Sequence, residues 1–328
     1  MIYQDRIYGK VKIDEPIILE LIESSSLQRL KGIFQMGHRA WYPQSSHTRL
    51  EHSIGVFILL KKFNASIEEQ IAGLIHDVSH TVFCHMGDYI FDSGSQKFHT
   101  FQDDIHKKFV FDTEIPKILR KYGFDIDFIL NEKNFPLKEK PLPNLCADRI
   151  DYFLRDAFQF KEFSKKEIKK FLVNFQIIEN SWVFKDLRVA KKFAKKFKKM
   201  NDLHWSGINA ALMFGTVADV IKYGLTKRYL KEKDVFTTDK IVLKKLNEFR
   251  KKDKKLNLLF ERMQKKIGWK LNKKDYDIHV FTKSRAIDPL VKMNAGIKYL
   301  SEIDKNWIKI IKEDSKPKEY FIKFNEKF

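Results

Sequence analysis

Ala72-Gly73-Leu74-Ile75-His76-Asp77-Val78-Ser79-His80 sets an imidazole and a carboxylate side by side at the end of an apolar run. The spacing from Glu68 to Leu74 predicts a helix that carries His76 and Asp77. A carboxylate that follows such a run is costly to bury unless something positive meets it, so the doublet asks for a cation. Working outward, His52 falls on a helix predicted to begin near Thr48, with Ile54, Val56, Phe57, Leu59 and Leu60 as its apolar face. Asp148 falls on a helix predicted from Leu145 to Phe158. A single helical His is more often a surface or hydrogen-bonded core residue than a ligand. Two imidazoles and two carboxylates on three helices make a plausible metal shell. That N/O set suits one divalent ion (Mn²⁺, Mg²⁺, Fe²⁺, Ni²⁺, Co²⁺ or Zn²⁺) and leaves positions for water and a substrate oxygen. The region from 15 to 160 is therefore expected to be mostly helical.

The same segment holds more imidazoles. His80 follows His76 by one helical turn and reads as a satisfied helix-end residue. His85 and Asp88 stand three apart and project together if a helix resumes there, and His99 arrives after a Ser/Gly loop. A His charged and held by a carboxylate would act on a metal-bound phosphate as general acid or electrostatic clamp.

Length and charge narrow the class. The chain has 328 residues, 43% hydrophobic and 32% charged, with 29 Phe, which excludes a small disulfide scaffold and wholesale disorder. Two cysteines, Cys84 and Cys146, with no CxxC pair, fit a reducing compartment. The N-terminus lacks the apolar stretch of a signal peptide and no apolar run is long enough to span a bilayer, so the expectation is a cytoplasmic protein with no membrane partner. The net charge of +20 is one-sided: residues 1–160 carry 20 Lys+Arg against 22 Asp+Glu, and residues 161–328 carry 43 against 21. Eight of ten histidines fall before residue 107. A neutral, His-rich part could hold metal chemistry, and a basic part could meet nucleotide phosphates or nucleic acid, unless its lysines are only a solvated surface.

The second half reads as a capped helix from Ser164 to Phe175, with Ser164 and Glu167 as capping box, then a strand or hairpin around Trp182-Val183-Phe184. A long amphipathic helix follows from Leu187 to Trp205, with Lys191, Lys192, Lys195, Lys196, Lys198 and Lys199 outside its apolar stripe. That basic face could line a nucleotide groove, a subunit interface or water. Ile208 to Tyr223 reads as a buried helix, and Ile278–Lys283 and Tyr320–Phe324 as strands.

Three strings, Arg49-Leu50-Glu51-His52-Ser53-Ile54-Gly55-Val56, Ala72 to His80, and Asp148-Arg149-Ile150-Asp151-Tyr152-Phe153-Leu154-Arg155-Asp156, together resemble the HD-domain phosphohydrolases. They are most like the branch that contains the deoxynucleoside triphosphate triphosphohydrolases. Likeness is strong over residues 1–225 and weaker afterwards, where Lys283-Ser284-Arg285-Ala286-Ile287-Asp288-Pro289 resembles the C-terminal module of that group. The resemblance implies a mainly α fold, with a helical HD domain over 1–230 (short N-terminal strands, catalytic core about 15–160) and a basic α+β module over 231–328. It implies metal ligation by His52, His76, Asp77 and Asp148, with a second Mg²⁺ able to arrive on the substrate. His85, paired with Asp88, and His99 would reach the substrate phosphates, Arg49 and Arg149 would bind phosphate, and Gln35, Tyr152 and Asp156 would contact the sugar. The implied activity is metal-dependent hydrolysis of dNTPs to deoxynucleoside and triphosphate by a homo-oligomer. Two rivals stand beside it: the same centre acting on a nucleoside monophosphate, a cyclic or signalling nucleotide or a nucleic-acid end, and a nucleic-acid-binding or regulatory protein with a vestigial HD site.

Overall fold

A computed structural model describes residues 1–326. The chain opens with a hairpin, β1 (Ile2–Asp5) and β2 (Gly9–Lys12), paired antiparallel. The helical region follows: α1 (Pro16–Glu23), α2 (Ser25–Arg29), α3 (Arg49–Lys62), α4 (Ile67–Ile75), α5 (Gly87–Ile90), α6 (Phe101–Phe111), α7 (Ile115–Lys121), α8 (Ile126–Ile129) and α9 (Ala147–Gln159). Next come α10 (Lys165–Asn174), the hairpin β3 (Phe175–Ile178) and β4 (Ser181–Phe184), α11 (Leu187–Met200), α12 (Ile208–Thr226), α13 (Asp239–Arg250) and α14 (Lys254–Met263). The chain finishes with β5 (Trp269–Leu271), β6 (Ile278–Thr282), β7 (Leu290–Met293), β8 (Gly296–Tyr299), α15 (Leu300–Ile303), α16 (Lys305–Asp314) and β9 (Lys318–Phe324).

The starts of these helices obey local chemistry. Pro16 opens α1, Thr48 accepts the N–H of Glu51 at the head of α3, and Ser66 does the same for Glu69 on α4; each satisfies an N–H that has no intrahelical partner. Ser164 and Glu167 form the expected capping box on α10. One expectation is corrected. α4 ends at Ile75, so His76 is its C-cap and Asp77 stands in the following turn rather than inside a helix. The helix predicted to run to Trp205 changes at Asn201 to a π-turn, Asn201–Trp205.

Two small sheets complete the fold. β3-β4-β7-β8 is four-stranded, antiparallel except for the parallel β4–β7 pair, and β5-β9-β6 is antiparallel throughout. The β4–β7 pair crosses the domain division expected at residue 230. One apolar cluster runs from Met36 to Phe324, with α12 buried along most of its length, and a second joins the N-terminal helices from Ile13 to Phe135. A helical core with an appended α+β region is thus the architecture, and α3, α4 and α9 converge at its centre.

Candidate metal centre and substrate cavity

α3 and α9 approach closely because Gly55 faces α9: a Cβ there would collide with the Arg155 guanidinium and Asp151. This contact, with the α4 C-terminus, assembles the expected ligands. His52 Nε2 lies 2.8 Å from Asp148 Oδ1 and 3.7 Å from Asp77 Oδ2, and His76 Nε2 lies 3.3 Å from Asp77 Oδ1 and 3.4 Å from Asp148 Oδ1. The two ring tautomers are set from behind. His76 Nδ1 donates to the Gly73 carbonyl at 2.8 Å, and His52 Nδ1 lies 2.8 Å from Asp151 Oδ2, so each presents Nε2 to the carboxylates. His76 Nε2 is buried without a hydrogen-bond partner. Two imidazoles held from behind at Nδ1, with Nε2 turned toward two carboxylates, fit a divalent ion.

The electrostatics agree with a cation-collecting end. Burial opposes charge on His52, but hydrogen bonds to Asp148 and Asp151 outweigh it and raise its pKa to about 9. His76 is raised against burial by Asp77 and Asp148. Burial would raise Asp77 and Asp148, yet Arg49, His76 and His80 hold Asp77, and His52 and His76 hold Asp148, well below the usual carboxylate range.

A buried network stands behind His52. Asp151 accepts Arg155 Nε at 2.7 Å and the Tyr8 hydroxyl at 2.7 Å, Arg155 Nη2 reaches Asp5 at 2.8 Å, and Asp5 accepts the N–H groups of Ile7 and Tyr8. The N-terminal hairpin is thereby tied to a ligand. Sequence reading gave Asp151, Arg155 and Tyr8 no role; their signal was charge at 151 and 155 on the same face as Asp148, where i+3 and i+7 positions share a side.

In front of the ligands is a cavity of about 650 Å³. Gln35, Arg49, His76, Asp77, His85, His99, Asp148, Arg149, Tyr152 and Asp156 all line it, and His52 stands directly behind Asp148. Gln35 Oε1 and the Tyr152 hydroxyl are buried without partners there. Arg49 reaches Asp77 at 2.8 Å and Cys84 Sγ at 2.6 Å. Arg149 has its Nη1 and Nη2 engaged by the carbonyls of Lys140 and Asn144, by Cys146 and by Glu139, so its fork braces the 139–146 loop. Asp156 accepts Trp205 Nε1 at 2.7 Å and stands 3.1 Å from His47 Nε2.

His85, Asp88 and His99 offer one nitrogen or oxygen each within 4.8 Å of one another. Two expectations are corrected here. Asp88 Oδ2 is 3.7 Å from His85 Nδ1, beyond a hydrogen bond; the other oxygen, Oδ1, instead accepts the N–H groups of Ser95 and Phe101 and shapes the loop that carries His99. Both imidazoles are also pushed toward the neutral form. Burial, the other imidazoles nearby and the cations Arg49 and Arg285 push His85 well below its ordinary value, and burial with Arg285 and Lys283 does the same to His99. His80, also on the wall, donates from Nδ1 to the Cys84 carbonyl and is lowered to about 4, chiefly by burial. Lys138, Lys283 and Arg285 line the cavity without having been expected. The last two arrive from the strand end after β6, at a sequence distance no local pattern bridges.

The basic face of α11 does not reach this cavity. Lys191 pairs with Asp304, Lys192 with Glu167, Lys196 and Lys199 with Glu162, and Lys198 with Asp202 and Asp314, all at 2.6–3.1 Å.

Comparison with known proteins finds relatives over this region and over nearly the whole chain. The HD domain family model matches residues 49–156, from Arg49 on α3 to Asp156 on α9. The chain is 35% identical over 313 residues to the uncharacterized protein YdhJ of Bacillus subtilis, covering 93% of this chain and 90% of that one. It is 34% identical over 215 residues to the metal-dependent phosphohydrolase cns2 of Cordyceps militaris, spanning 61% of that protein. Against the mouse deoxynucleoside triphosphate triphosphohydrolase SAMHD1 identity is 25% over 256 residues, 62% of this chain and 39% of that one. The fold matches that of a hypothetical protein from Aquifex aeolicus with a TM-score of 0.72 at 20% identity, over 99% of this chain and 96% of that one. No helix among the described residues is long and apolar enough to cross a membrane. A shell of His52, His76, Asp77 and Asp148, the HD match around it and a relative aligned over nearly the whole chain lead to one assignment: the chain belongs to the HD-domain phosphohydrolases, near the deoxynucleoside triphosphate triphosphohydrolase branch of that superfamily.

Proposed function

We propose that this metal-dependent phosphohydrolase acts on deoxynucleoside triphosphates and releases deoxynucleoside and triphosphate. The observation that carries the reading is the mixed charge of the cavity: the acidic ligand set shares its lining with Arg49, Lys138, Lys283 and Arg285. A triphosphate with about four negative charges needs such a surround. Lys283 is pushed down to about 8 by burial and by Arg285, which is the condition of a cation that gains from meeting an anion.

His52, His76, Asp77 and Asp148 would hold the ion, which when bound supplies Lewis-acid polarisation of a phosphoryl oxygen. Arg49, which lines the cavity beside Asp77, is placed to bind phosphate. The orphaned Gln35 Oε1 and Tyr152 hydroxyl await polar groups of a sugar, and Asp156, held through one oxygen by Trp205 and with the other unpartnered, lines the cavity with them. A Tyr ring under the sugar leaves little room for a 2′-hydroxyl, which favours deoxyribose. The division into a 1–230 HD domain and a 231–328 module, and assembly as a homo-oligomer, belong to the same proposal. The test is incubation with each canonical dNTP and rNTP in Mn²⁺, Mg²⁺ or Co²⁺, with separation of nucleoside, monophosphate and polyphosphate. Deoxynucleoside plus intact triphosphate is expected. Monophosphate plus pyrophosphate, or turnover of rNTPs alone, would overturn it.

A further inference from the structure

The loop from Gly94 to Thr100 delivers His99 in an unusual state. Its φ is +52°, in the left-handed region that non-glycine residues avoid. Asp88 holds the loop there through the N–H groups on both sides of it, Ser95 and Phe101. The ring is fixed by Tyr89. Tyr89 lies flat on Phe214 with ring centres 4.3 Å apart, and its hydroxyl sits 3.0 Å from the Phe281 carbonyl and 2.9 Å from His99 Nε2. A carbonyl can only accept, so the single hydroxyl proton goes to Phe281. The hydroxyl oxygen must then accept from His99, and Nε2 carries the ring proton. A neutral imidazole has one N–H, which leaves Nδ1 as a bare lone pair. That nitrogen is buried, has no partner and belongs to a residue on the cavity wall. The groups that face it are His85, Asp88, His80, Arg49, Lys283 and Arg285, and burial with the three cations among them pushes the ring toward its neutral form.

We infer that His99 is the proton acceptor of this centre and that Tyr89 is the residue that positions it in that role. This rests on the reading of the cavity as a phosphohydrolase site. As the oxygen of the attacking water bonds to phosphorus, its proton passes to His99 Nδ1. The bond from phosphorus to the leaving oxygen breaks with its electron pair on that oxygen, which takes a proton from solvent, and the imidazolium returns its proton to solvent. Because Phe281 lies in β6, and its N–H is bound by Gln96 of the same loop at 3.0 Å, the C-terminal sheet sets the tautomer of a catalytic-cavity histidine.

The test is long-range ¹H–¹⁵N correlation of the full chain labelled in histidine and loaded with Mg²⁺ at neutral pH, with His99 identified by its loss in His99→Gln. The expected spectrum has Nε2 protonated and Nδ1 bare. Tyr89→Phe keeps the stacked ring and removes the relay; it should give mixed tautomers and lower kcat roughly 10- to 100-fold, as for other orienting partners, with KM nearly constant. An Nδ1–H or doubly protonated His99 in the parent protein overturns the inference, and so does a Tyr89→Phe variant with unchanged tautomer or unchanged kcat. If that variant does not fold, the parent spectrum still decides. If the parent hydrolyses no nucleotide, the functional reading falls while the spectrum continues to test the tautomer.

Discussion

The cavity holds its histidines in two opposite states. At the ligand end, His52 and His76 are gripped at Nδ1 by Asp151 and the Gly73 carbonyl, and they face Asp77 and Asp148; carboxylates outweigh burial and both rings are raised. At the other end, His99 is gripped at Nε2, Asp88 has one oxygen bound by the loop backbone, and burial together with Arg285 and Lys283 lowers the ring. The side chain is the same and its neighbours decide its proton. The acidic end suits a cation and the basic end an anion, the arrangement on which the proposed metal-assisted phosphate chemistry rests.

Removing Asp77 should break the comparison most severely. Asp77→Ala deletes a ligand and strands Arg49, its 2.8 Å partner, inside the centre. Elemental analysis should find little or no divalent ion while circular dichroism remains helical, and the rate should fall by on the order of 10³ or more, since the ion supplies several kcal/mol. Unchanged metal content would sink the assignment of the shell.

At the basic end the signature is inverted. His99→Ala and His85→Ala should each lower turnover by about 10² to 10⁴ and leave metal content as it was. Loss of metal in either variant would mean that the His85, Asp88 and His99 group binds an ion of its own, and the two ends would no longer be opposites.

Asp151→Asn sharpens the acidic side with a smaller effect. The amide keeps the shape but not the charge behind His52, and Arg155 retains only Asp5. Metal affinity should fall about 10- to 100-fold, read by titration with a chelator, and stability by up to about 3 kcal/mol, read by urea unfolding. An unaltered affinity would show that the hairpin network is not coupled to the ligand it touches.

What was legible in the sequence follows the same physical line. Periodicity, caps and Pro16 placed α1, α3, α4, α9 and α10 because these are local signals, and the His-Asp doublet was legible because an adjacent pair after an apolar run has few other uses. The positions of Tyr89, Lys283 and Arg285 in the site were not, since Tyr89 acts through a strand 192 residues away and the cations depend on how β6 docks. Nor was the downward push on His85 and His99, because spacing suggests a His–Asp pair while the folded chain leaves a 3.7 Å gap. The basic helix misled in the other direction: lysines that look free in sequence find acids on and just before α10, on and just before α16, and in the π-turn once folded.

That helix supplies the smallest expected effect. Lys192, Lys196 and Lys199 pair with Glu167 and Glu162 at 2.6–2.8 Å, yet the lysines are 31–51% exposed, and such surface pairs contribute about 0–1 kcal/mol each. Replacing all three by Ala should lower Tm by a few degrees at low salt, and by less at about 1 M salt, where the Debye length is about 3 Å. None of the three lines the cavity, so kcat and KM should match the parent. The decisive measurement is anisotropy of a labelled single-stranded oligonucleotide. If these lysines serve only their own acids, the triple variant binds it no more weakly than the parent at any salt concentration. A salt-steep affinity that drops in the variant would show that nucleic acid competes Glu162 and Glu167 away, and would make α11 a phosphate-binding face separate from the cavity.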